Sequence, residues 1–208
     1  MPPEQRQLPR FAAEPPQEAL PYGRWEERLR GEFLTGCLAL ESDGEDLGEP
    51  GEILWYPDRT WHGRTYVPAT SITSNGNELF GYVRFIPAEE GSDPRDFWTH
   101  VDFTDQTAES NPGWKMDICD EVIGAWRGPG GAAAAMTLVW GRPLVAGGRI
   151  VTAQLDGVTV DQCQLLEERF TLIAPDDYRQ ELLEIKLWSA KDQELASESL
   201  YEEDQAEQ

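Results

Sequence analysis

Histidine and cysteine are scarce in this chain of 208 residues. The two histidines are His62 and His100, and the three cysteines are Cys37, Cys119 and Cys163. The cysteines are odd in number, far apart and never spaced as CxxC. That pattern argues against a disulfide framework and a clustered zinc site, and it fits buried thiols in a reducing compartment. Basic residues are also few: 17 Lys and Arg against 39 Asp and Glu, a net charge of −22. Nucleic acid and anionic membrane surfaces repel such a chain, which has no basic stripe to engage them. The simplest consequence of the acidity is solubility. No run approaches the roughly 20 apolar residues of a membrane-spanning helix. The first residues, "MPPEQRQLPRF", lack the basic and then apolar stretch of a secretory signal, so the expected location is the cytoplasm. Arg outnumbers Lys, and Ala, Gly and Pro are plentiful, a composition expected of a GC-rich prokaryotic genome.

Local catalytic signatures are missing as well. "GPGGAAAAM" is glycine-rich, but no Lys-Ser/Thr pair follows to hold a phosphate. Neither GxSxG nor HExxH occurs. The acidic loop "SDGEDLGEPGE" lacks the regular oxygen-ligand offsets of a calcium loop and the helix that follows one. Cys119 lies in "MDICDEV" beside Asp117, Asp120 and Glu121, whose charges suppress a reactive thiolate. Asp117, Asp120, Glu121, Glu167 and Glu168 would serve acid–base chemistry only if the fold paired them.

What is present is a strong pattern of short β-like runs. Residues 1–21 are rich in Pro, Gln and Glu and read as a flexible or docking arm. Residues 22–41 carry the one clear helical stripe, with Trp25, Leu29, Phe33 and Cys37 four apart and Leu34 and Leu38 beside them. From residue 53 onward the period becomes two. "TYVPATSIT" reads as an edge strand because of Pro68, and "SNGN" reads as a type I′ hairpin turn. "DFWTHVDFTD" places Phe97, Val101 and Phe103 on one side and Trp98, His100 and Asp102 on the other. "QLLEERF" reads as strand. Residues 202–208 form an acidic tail. Nine or ten strands with no helices between them predict a mainly β fold: one domain over 22–201, an antiparallel β-sandwich or flattened barrel with the N-terminal helix packed on it.

Two features single out candidate site residues. His100 and Asp102 share a strand face, and His62 in "TWHGR" would complete a two-histidine, one-carboxylate metal site if its loop covered that face. The chain also has 8 Trp, an excess that fits either core packing or a ligand or partner surface. The candidates for binding are Trp61, His62, Tyr82, Trp98, His100 and Asp102. Together these readings point to a non-catalytic β-sandwich module that binds another protein or its own copy, as an accessory subunit of a larger assembly and with no cofactor. The rival reading is a small-molecule-binding or metal-dependent β-barrel enzyme built on His62, His100 and Asp102.

Overall fold

The computed structural model describes residues 16, 19–42, 44–88, 92–128, 131, 133–176 and 182–200. Most of the expected arm at 1–21 and the whole acidic tail lie outside the described residues. One helix, α1 (Gly23–Ala39), precedes twelve strands among them. These are β1 (Pro50–Trp55), β2 (Arg59–Trp61), β3 (Arg64–Thr73), β4 (Glu78–Ile86), β5 (Arg95–Thr104) and β6 (Met116–Arg127). The rest are β7 (Ala133–Pro143), β8 (Gly148–Leu155), β9 (Val158–Gln164), β10 (Phe170–Asp176), β11 (Glu184–Ser189) and β12 (Glu194–Ser199).

The strands form three antiparallel sheets. The first has the order β1-β3-β4-β5, with β2 also pairing β3; the second is β10-β7-β6; the third is β12-β11-β8-β9. None closes on itself, so the architecture is a β-sandwich with one helix and not a barrel. The stripe of α1 packs on the outer face of the first sheet. Leu29 and Phe33 are fully buried there against Trp55, Val67, Ala69, Val83 and Phe85. Each such side chain contributes about 1.5–3 kcal/mol by leaving water. Gly36 lets the helix approach β5, since a Cβ there would lie 2.6 Å from the Thr99 methyl carbon.

The inner face of the first sheet meets the second sheet through Tyr56, Trp61, Tyr66, Tyr82, Met136, Leu138, Trp140 and Ile173. The other face of the second sheet contributes Val139, Phe170, Leu172 and Ala174 to a core shared with Val151, Leu155, Ile185 and Leu187 of the third. The second sheet is therefore covered on both sides. This explains why "MTLVW" and "FTLIAP" are continuous apolar runs and not alternating ones. A buried ion pair ties the layers together: Arg59 lies 2.7 Å from the Asp161 carboxylate, which also accepts a hydrogen bond from the Ile173 N–H at 2.9 Å. Among the described residues no helix is long and apolar enough to cross a membrane.

Four expectations from the sequence need correction. Strand structure begins at Pro50, before residue 53. Pro68 is not on an edge: β3 runs between β4 on one side and β1 with β2 on the other. Its missing N–H is tolerated because Pro68 stands opposite the break between β1 and β2, where its carbonyl accepts from the Tyr56 N–H at 3.0 Å. The "SNGN" turn has only Gly76 at positive φ, so it is not type I′. Two-residue turns with both positions at positive φ instead join β2 to β3 at His62-Gly63, at 52° and 69°, and β8 to β9 at Asp156-Gly157, at 49° and 72°. "QLLEERF" is no continuous strand: Glu167 and Glu168 form the turn between β9 and β10, at φ of 49° and 61°.

Candidate functional site

Side chains alternate along β4 and β5, so Glu78, Phe80, Tyr82 and Arg84 share the inner face of the first sheet with Trp98, His100, Asp102 and Thr104. The facing strand is β6, where Asp117, Cys119 and Glu121 follow the same alternation. The two ends of this face differ in chemistry.

At one end His100 stands opposite Tyr82, and Trp98 opposite Arg84. The His100 and Trp98 rings stack with centroids 6.0 Å apart, and Tyr82 lies 5.7 Å from His100 and 5.9 Å from Trp98. The Arg84 guanidinium sits 4.6 Å over the Trp98 ring. His100 Nε2 is 3.1 Å from a Glu121 carboxylate oxygen, with the two side chains 31% and 32% exposed. Trp98 remains 45% exposed. Burial, followed by the Glu121 charge, pushes the Tyr82 hydroxyl well above its usual pKa.

The structure thus brings Tyr82, Trp98 and His100 together. Trp61 is buried in the same inter-sheet core as Tyr82, over Gly124, where any Cβ would collide with its ring. The β6–β7 ladder shifts register between Val122 and Gly124, at that seat. His62 is exposed at the tip of its turn, with its ring 4.2 Å from that of Trp61. Histidine tolerates positive φ better than most residues, which suits it to that turn. Asp102 is exposed and accepts a hydrogen bond from the Phe103 N–H at 2.8 Å. His62, His100 and Asp102 therefore do not assemble a metal site: among the described residues no group of three His, Cys, Asp or Glu side chains is arranged to hold an ion. The reason is local. His62 is held in a turn, Asp102 serves its own backbone, and His100 is matched to Glu121.

At the other end the sheets part into a cleft of about 240 Å³. Glu78, Phe80 and Thr104 line it from the first sheet, and Asp117, Cys119 and Asp120 from β6. Trp114, 39% exposed, and Gln106 line it from the β5–β6 loop. That loop is fixed by reciprocal bonds. The Thr107 N–H donates to the Ser110 hydroxyl at 3.0 Å, and the Trp114 N–H donates to the Asn111 carbonyl at 3.0 Å.

The cleft's electrostatics are unbalanced. Asp117, 6% exposed, accepts from Arg142 Nε at 3.0 Å. Glu78 is 5% exposed, and its hydrogen-bond partner is the neutral Thr70 hydroxyl. The Tyr56 hydroxyl lies 3.2 Å from that same Thr70 oxygen. With Glu78 ionised, Thr70 gives it its one proton and Tyr56 donates to Thr70 in turn. Burial, and next the Asp117 charge, raise Glu78 to about 7; Arg142 and Thr70 oppose the rise. Burial and the surrounding carboxylates push the Cys119 thiol well above its usual range, which removes it as a nucleophile.

Sequence reasoning named Asp117, Cys119, Asp120 and Glu121 but missed Glu78 and Arg142. One signal for Glu78 was present: it falls in register with the inward positions Phe80 and Tyr82. Glu167 and Glu168 are exposed in their turn and do not pair as an acid and a base. A larger groove of about 460 Å³ lies between Ala19–Tyr22, β1 and that turn, but its Arg169 already donates to the Trp55 carbonyl at 2.8 Å. Compared with known proteins, the chain matches no family model, no curated protein and no solved structure.

Proposed function

We propose that this chain is a non-catalytic β-sandwich binding module whose small-molecule ligand seats in the cleft around Glu78 and Asp117. The observation that carries this reading is Glu78, a buried carboxylate with a neutral hydroxyl for a partner, on the wall of an open cleft. Burying an ionised carboxylate costs several kcal/mol unless charge and hydrogen bonds offset it. A cavity that keeps such a group facing inward is organised for a guest that supplies the missing partner. The inert Cys119 thiol and the engagement of Asp117 by Arg142 favour binding over catalysis. The free thiols of Cys37, Cys119 and Cys163 support a reducing, cytoplasmic setting.

A ligand screen followed by NMR tests the proposal. The expected result is shifts of the Trp114 indole and its neighbours, with the Trp98 end unmoved. A panel of small cations, neutral molecules and anions that leaves Trp114 unperturbed would overturn it. A second reading, that of an accessory subunit docking on a protein partner, rests on Trp98. Its exposed ring, backed by Arg84 and His100 on edge strand β5, has the character of an interface anchor. Complex formation that is abolished by Trp98→Ala would support that reading.

A further inference from the structure

We infer that the cleft takes an organic cation, an amine or guanidinium on a small apolar body, with Glu78 as its counter-ion. The inference rests on the binding role proposed above and names the class of ligand.

Charge sets the sign. Glu78, Asp117 and Asp120 line the cleft, and the cation that reaches them, Arg142, is bonded to Asp117 at 3.0 Å. An anion would meet net repulsion, and a neutral guest would leave Glu78 only the attraction of Arg142, which is already bonded to Asp117. The second requirement comes from Glu78 itself. It is more than nine-tenths buried, lines the cleft, and among the described residues is hydrogen-bonded by the neutral Thr70 hydroxyl with Arg142 acting at longer range, although a carboxylate has about four acceptor sites. Aromatic walls set the body of the ligand. Phe80 and the exposed Trp114 offer ring faces that attract a cation and accept an apolar stem. A metal ion is a poor match, because no three ligating side chains converge among the described residues. A volume of about 240 Å³ admits a ligand such as a small aromatic or short-chain amine.

Binding is then linked to protons. The groups facing Glu78 are Thr70 and Tyr56 on one side, Asp117 and Cys119 from β6, and Arg142 from β7. Burial and the Asp117 charge hold Glu78 at about 7, so below neutrality a proton occupies the position the cation would take. A cation lowers that pKa as it binds and releases the proton, and its affinity therefore rises with pH.

Calorimetry on the full chain with phenethylamine, the neutral phenethyl alcohol and the anionic phenylpropionate decides the matter. Phenethylamine stays protonated between pH 6 and pH 8, so a change in its affinity over that range belongs to the protein. The amine is expected to bind at least about tenfold more tightly than the alcohol at pH 8, with the anion not binding. Its affinity should fall about tenfold at pH 6, the ratio of ionised Glu78 expected for a pKa near 7. Glu78→Gln, shown folded by its thermal melt, should erase the preference for the amine and keep the affinity for the alcohol. If amine and alcohol bind alike, or Glu78→Gln keeps the preference, the cation inference fails while the cleft remains a binding site. If none of the three binds, the binding role of the cleft fails with it.

Discussion

Strand β6 sends a carboxylate to each end of the same sheet face, and the two carboxylates meet opposite circumstances. Glu121 meets His100, both groups are about a third exposed, and water shares the charge with them. Asp117 is buried beside a second carboxylate, Glu78, and depends on Arg142 from the neighbouring strand β7. The first end holds the rarer residue types, a histidine and an exposed tryptophan, yet its groups are already matched to one another. The second holds common carboxylates, and burial gives them their unusual properties. Residue type marks where chemistry is available, but an uncompensated charge marks where it is held in reserve.

The sharpest way to break this comparison is to remove each carboxylate's partner. Arg142→Met leaves Asp117 buried without its guanidinium, a change that costs about 3–5 kcal/mol when the pair is fully buried. The Arg142 side chain is 45% exposed, which brings the expected loss to about 2–3 kcal/mol at pH 8, read by urea denaturation. A loss under about 1 kcal/mol would mean that the two ends are alike after all.

The next effect has the opposite sign. Glu78 has its folded pKa raised from 4.5 to about 7, so the folded state holds the proton more tightly than the unfolded chain. That contribution to stability is fully present below pH 4.5 and is lost as pH rises through 7. Glu78→Gln keeps the shape without the charge. It should match the wild type near pH 4 and exceed it by about 3 kcal/mol at pH 9, in denaturation curves taken at both values. Equal stability at pH 9 would show that Glu78 is solvated and the cleft carries no stored electrostatic cost.

Much of the fold was legible because it follows from periodicity. The stripe of Trp25, Leu29 and Phe33 does form α1, and the alternation of 96–104 does send Phe97 and Val101 beneath that helix. The misreadings arose where a neighbour far along the chain decides the outcome. Pro68 marks an edge by local rules, but the break between β1 and β2 that excuses its missing N–H lies outside its own strand. Candidate residues followed the same division. Tyr82, Trp98 and His100 meet because strand register brings them together. His62 and Asp102 were drawn in by residue type alone. Glu78 stayed hidden because, in a chain of net charge −22, one more carboxylate attracts no notice. Its burial depends on β6, and the neutralisation of its neighbour depends on Arg142, 25 residues beyond Asp117.

The smallest effect belongs to the end that looked most reactive. His100→Ala removes a hydrogen bond to Glu121 and a ring stacked on Trp98, and both contacts are open to water. An exposed pair of this kind contributes about 0–1 kcal/mol, because solvent replaces the lost interaction and Glu121 is rehydrated where it stands. The expected loss is therefore under about 1 kcal/mol, and it should be independent of any loss from Arg142→Met, since the two pairs share no partner. Combining the two substitutions checks this directly. Additive losses mean that β6 presents two separate sites. A coupling well above about 0.5 kcal/mol would mean that the strand transmits the state of one carboxylate to the other, and that His100 belongs to the cleft.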